Sequence, residues 1–178
     1  MKEPEMNSAG DLVLTEPDAM RALAQPARLS LLDRLRRQGS ARAAELGEEA
    51  TTEEHLRELE RFGLVKRGDD GWSAVGKGFV FEIPDDPEGA AAGRELSKAM
   101  FLQYLDVPRR WVVEDEPELE LEWIRAAGLL NARVMVTSDE LRELQEGLEQ
   151  LLEPFITRER GDVPEGARRV RIQSYFLP

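Results

Sequence analysis

The sequence predicts an α+β protein on three observations. Short amphipathic helical patterns follow one another from Thr15 to Gly63, and the period then changes to that of strands around Gly68-Asp69-Asp70-Gly71. A long helix with an apolar stripe, near the C-terminus, lies between two segments of strand character.

Met1 to Asp11 is polar, with Pro, Gly, Ser and Asn, so residues 1–14 are expected as a frayed or disordered tail. Thr15 can cap a short helix over Pro17 to Ala24, and Pro26 suits the first turn of the next, where its missing N–H would have no partner anyway. That second helix carries Leu29, Leu32 and Leu35 on one face and stops at Gly39, a residue type that readily follows a helix end. Ser40 is the expected cap of a third, short helix with Ala43, Ala44 and Leu46. Thr51 with Glu54 three residues on is a capping-box pattern opening a fourth helix, in which Leu56, Leu59 and Phe62 recur at helical spacing up to Gly63.

Leu64 to Arg67 and Trp72 to Val75 read as two short strands around the Gly/Asp turn, a hairpin. Phe79, Phe81 and Ile83 alternate with Val80 and Glu82 in a further extended segment leading out of the first domain. Asp86 before Pro87 starts a helix that runs to about Leu105 with Leu96, Met100 and Tyr104 among its apolar residues. Trp111 to Gly128 mixes aromatics with a dense acidic run, and Glu114-Asp115-Glu116-Pro117-Glu118 with Glu120 and Glu122 is expected as a solvated loop. Ala132 to Val136 is an expected strand, and Thr137 with Glu140 forms a second capping box. The helix that follows spaces Leu141, Leu144, Leu148, Leu151 and Phe155 by three and four, and Arg169 to Phe176 is expected as a closing strand beside the first. The expected organisation is a tail over 1–14, a first domain over 15–84, and a helix plus β-α-β dimerisation or effector region over 85–178.

Helices in this order followed by a hairpin are the pattern of a winged helix-turn-helix, whose last helix enters the DNA major groove while the hairpin touches the backbone. Two motifs go further. Ala24-Gln25-Pro26-Ala27-Arg28-Leu29-Ser30-Leu31-Leu32 resembles the opening signature of the ArsR-like transcriptional regulators, and His55-Leu56-Arg57-Glu58-Leu59-Glu60-Arg61-Phe62-Gly63-Leu64-Val65 resembles the end of that family's recognition helix. Trp72 with Gly78-Phe79, Thr137 to Leu144 and Arg168 to Phe176 are similar to an actinobacterial-type subgroup with a C-terminal strand-helix-strand extension. The resemblance implies a homodimeric transcriptional regulator that places two recognition helices, about 51–62, in successive major grooves of a pseudo-palindromic operator, with wings over about 64–75. It implies that Thr51, Thr52, His55 and Arg57 face double-stranded DNA. Arg28, Arg42, Lys66 and Arg67 join Arg57 as phosphate contacts.

This sequence departs from the family pattern in a shorter segment between Glu45-Leu46 and His55-Leu56, and in Glu53 and Glu54, where small polar residues are usual. Carboxylates repel phosphates, whereas at a helix N-terminus they favour the helix dipole. Asp69 and Asp70 add two more acidic groups at the tip of the wing.

With 36 acidic and 24 basic side chains the 178-residue chain carries −12, which by itself opposes broad nucleic-acid affinity. From Thr15 to Val80, however, eleven basic side chains stand against twelve acidic ones, so the acidity lies mostly outside the winged region. The absence of cysteine excludes disulfides and the thiolate metal sites that give the family its name, so no cofactor or metal is expected, and an effector is either organic or lacking. A single histidine, no Walker or dinucleotide pattern at Gly76-Lys77-Gly78 and no EF-hand spacing in the acidic run give no basis for an enzyme. No apolar run reaches the roughly 20 residues of a membrane span, and the N-terminus lacks signal-peptide character, so no membrane partner and a cytoplasmic location are expected. The alternative to a regulator is a winged-helix module that has lost DNA contact and serves protein association.

Overall fold

A computed structural model describes residues 5–8, 10–158 and 162–178, and the chain divides into two compact units, Met1–Ala127 and Gly128–Pro178. Both carry helix, and the first also carries two small sheets, so the class is α+β.

In the first unit, α1 (Pro17–Ala24), α2 (Pro26–Gln38), α3 (Ala43–Leu46) and α4 (Glu49–Arg61) follow one another as expected. Pro17 and Pro26 begin their helices, and Gly39, at φ +86°, ends α2 by donating its N–H to the Leu35 carbonyl. Three caps lie elsewhere than the sequence suggests. Glu16, not Thr15, precedes α1, and Arg42, not Ser40, precedes α3, where the Glu45 carboxylate reaches back to accept from the Arg42 N–H at 2.7 Å. Helix α4 starts two residues before Thr51: Glu48 is its cap and accepts from both the N–H and the hydroxyl of Thr51. An upstream carboxylate thus takes the capping role, and Thr51 moves into the first turn.

Strands β3 (Val65–Gly68) and β4 (Gly71–Ala74) form the hairpin, pairing Val65 with Ala74 and Arg67 with Trp72 around Asp69 and Asp70. The expected tail is the largest departure. Its residues 5–14 form β1 (Glu5–Met6) and β2 (Leu12–Leu14), while residues 1–4 and 9 lie outside the described ones. Strand β2 pairs in parallel with β5 (Phe79–Phe81), so the segment expected to leave the domain is instead an edge of a three-stranded sheet ordered β1-β2-β5. Burial explains why: Leu12 and Leu14 belong to the same core cluster as Met20, Leu23, Leu32, Leu35, Leu59 and Leu96. Each leucine so covered contributes about 1.5–3 kcal/mol, enough to order a short strand. Arg36 sits over the Phe79 ring at 5.1 Å, and its burial pushes the guanidinium below its ordinary pKa, an effect the nearby Asp11 opposes.

Helix α5 (Pro87–Tyr104), capped by Asp86 through the Gly89 N–H, packs on α1 and α2 within the first unit and buries Ala92 and Leu96, while Gly89 and Gly93 lie against Pro84 and Ile83. After α6 (Asp106–Arg110), the acidic run expected as loop lies largely in helical turns instead: a π turn over Trp111–Asp115, a 3-10 turn over Glu116–Glu118 and the start of α7 (Leu121–Ala126). Glu, Arg and Leu are good helix formers, and Arg109 donates to Asp106 at 2.6 Å, holding that carboxyl below its ordinary pKa.

In the second unit α8 (Ser138–Ile156) has the expected capping box. Thr137 donates its N–H to Glu140 at 2.7 Å and its hydroxyl accepts from the Glu140 N–H, and the first of these contacts lowers the Glu140 pKa. The two flanking strands do not form, so the β-α-β arrangement expected of this region is corrected to a single helix with irregular flanks. Residues 132–136 and 169–176 are exposed almost throughout and adopt no strand. Along α8 itself Leu144, Leu151, Phe155 and Ile156 are exposed.

Candidate nucleic-acid interface

Helix α4 and the β3–β4 hairpin form a continuous face because the chain between them turns tightly. The Leu64 N–H returns to the Leu59 carbonyl, and the Val75 N–H donates to Leu64, closing the base of the hairpin against the end of the helix. The hairpin is fastened a second time. Trp72, 2% exposed, exchanges backbone hydrogen bonds with Ala41 at 2.8 and 2.9 Å, tying β4 to the loop between α2 and α3.

A third fastening uses a side chain. Glu53, in α4, accepts at Oε1 from Arg57 Nη2 at 3.3 Å and from Arg67 Nη1 at 3.2 Å, and at Oε2 from the Trp72 indole Nε1 at 3.1 Å. Arg67 also lies over the Trp72 ring, 5.5 Å from its centre. Glu53 therefore does more than favour the helix dipole, and its charge is countered by two guanidinium groups. Its spacing to Arg57, four residues along a helix, was the signal for half of this arrangement. Nothing local announced Arg67 and Trp72 as partners.

Of the residues implicated by sequence, Arg57 and Arg67 are exposed on this face, Lys66 is exposed on the same strand but points to the other side of the hairpin from Arg67, and Arg42 and Thr51 are exposed as well, the Thr51 hydroxyl bound to Glu48. Arg28 and Thr52 are placed differently from expectation. Arg28 is half-buried and donates to the Ala22 carbonyl at 2.9 Å, joining α2 to the end of α1. Thr52 is 6% exposed because it shares the inward row of α4 with Leu56 and Leu59, at spacings of four and three. His55 is half-buried, lining a shallow cavity of about 290 Å³ with Ser30, Arg34, Leu46 and Thr52, and its Nδ1 is buried with no hydrogen-bond partner among the described residues. Arg34 holds that cavity's other wall by donating to the carbonyls of Glu45 and Leu46 at the end of α3. Glu54, Asp69 and Asp70 are exposed beside the basic groups.

No family model, curated protein or solved structure matches the chain. Among the described residues no group of His, Asp and Glu is arranged to hold a metal ion, and no helix is long and apolar enough to cross a membrane.

Proposed function

We propose that the protein is a DNA-binding transcriptional regulator of the winged helix-turn-helix class, similar to the ArsR-like regulators and cytoplasmic. The observation that carries this reading is the single face on which Arg57 of α4 and Arg67 of the hairpin are exposed together, both charge-paired to Glu53. A helix and hairpin so joined can address a groove and its flanking phosphates at once. In binding measurements against genomic fragments, a discrete fragment is expected to bind with nanomolar Kd, more weakly as salt rises. Arg57→Ala and Lys66→Ala should each weaken binding about ten-fold and reduce the salt slope by about one. Absence of binding at low salt by the folded protein would sink the reading.

We further propose that the protein acts as a homodimer through the second unit. Leu144, Leu151, Phe155 and Ile156 of α8 are exposed, as are Val134, Met135, Val170 and Ile172 of its flanks, and large apolar side chains exposed along a helix are the kind of surface a partner covers. A second copy would cover this surface. Light scattering at micromolar concentration should report twice 20.1 kDa, and Leu151→Glu with Phe155→Glu should halve it. A monomeric wild type would refute the assembly. The same exposed surface also favours the alternative of a module for protein association, which the DNA titration separates from a regulator.

A further inference from the structure

We propose that Glu53 is a positioning residue: its carboxylate pins the hairpin to α4 and gathers Arg57 and Arg67 into one cationic pair that receives a DNA phosphate. The proposal rests on the DNA-binding reading for its ligand, but its geometry stands in the free protein. Glu53 collects donors from its own helix and from both strands of the hairpin, at 3.3, 3.2 and 3.1 Å. The carboxylate side chain is only 21% exposed, whereas Arg57 and Arg67 are 67% and 62% exposed. The acid is thus largely covered by its partners while both cations face solvent. One carboxylate against two guanidiniums leaves the trio with a charge of +1. Each guanidinium has five N–H donors in a rigid fork and commits one to Glu53, keeping the others for a further acceptor such as phosphate.

This role and simple electrostatics predict opposite signs. If Glu53 only repelled DNA, removing its charge would tighten binding. If it orients the arginines, removing its charge weakens binding even though the protein becomes more positive. Glu53→Gln keeps a neutral acceptor for the Trp72 indole but loses the charge-assisted bonds to the arginines; Glu53→Ala loses both. We expect Glu53→Gln to bind the operator fragment roughly three-fold more weakly than wild type, and Glu53→Ala at least about ten-fold more weakly. Tighter binding by Glu53→Gln would overturn the proposal.

Hydrogen exchange of the Trp72 indole N–H and the hairpin amides, followed by NMR on the DNA-free protein, supplies the second arm. Protection should persist in Glu53→Gln and fall about ten-fold or more in Glu53→Ala, with the helical circular dichroism of both variants unchanged. Wild-type protection in Glu53→Ala would also overturn the pin. If wild type binds no DNA, the regulator reading and the phosphate role both fall, while exchange still decides whether Glu53 holds the hairpin.

Discussion

Removing residues 1–14 should destabilise the first unit by at least about 4 kcal/mol, because it takes out two buried leucines worth about 2 kcal/mol or more apiece and the central strand of a sheet. Leu12 is fully buried and Leu14 is 5% exposed. Their neighbours Phe79 and Phe81 on β5 would lose the strand that pairs with them. Against a total stability of about 5–15 kcal/mol, such a loss leaves the unit marginal or unfolded. A thermal melt followed by circular dichroism should show the midpoint lowered by about 15 °C or more. Leu12→Ala with Leu14→Ala in the full-length chain should reproduce most of the drop. A truncated chain that melts with wild type would show that the segment is the tail its composition suggests.

Gly71→Val is expected to cost about 2–5 kcal/mol and to free the hairpin from the helices. Gly71 has φ +114°, a conformation β-branched residues rarely adopt, and a Cβ there would stand 2.5 Å from the Ala41 carbonyl oxygen and 2.7 Å from its carbon. Those atoms are backbone, so they cannot swing aside as a flexible side chain would. The Ala41–Trp72 bridge must break or the turn must reshape, and either exposes an indole that is 2% accessible in the native fold. A red shift of the Trp72 emission together with a lowered melting midpoint checks this. Unchanged emission with full stability would show that the bridge does not hold the hairpin.

The parts of the fold legible in the sequence are those specified within a few residues. Pro26 and Gly39 bracket α2, Gly68-Asp69-Asp70-Gly71 makes the hairpin turn, and Thr137 with Glu140 caps α8. What was illegible depends on partners distant in the chain. Leu12-Val13-Leu14 is too short to show a period, and its parallel partner lies beyond four helices and a hairpin. The segments 132–136 and 169–176 show the opposite case: they have strand composition without a ladder, because composition supplies side chains for a sheet but not the second backbone. The same division holds at the candidate interface. Arg57, Lys66 and Arg67 were readable as exposed cations, whereas Thr52, polar and near the helix start, hid the fact that it continues the inward row of Leu56 and Leu59. Glu53 was readable as a charge near a helix start, but its meaning lies in Trp72 and Arg67 on the neighbouring hairpin.

The pairing of β2 with β5 also sets an order of events during synthesis. Leu12 leaves the ribosome early, but Phe79, its partner, follows about 65 residues later, several seconds at ordinary elongation rates. During that interval α1 to α4 and the hairpin have everything they need for local contacts, while β2 has only its short neighbour β1 to pair with. The β2–β5 ladder is therefore the last part of its sheet to form, and until then one edge of β2 stays open.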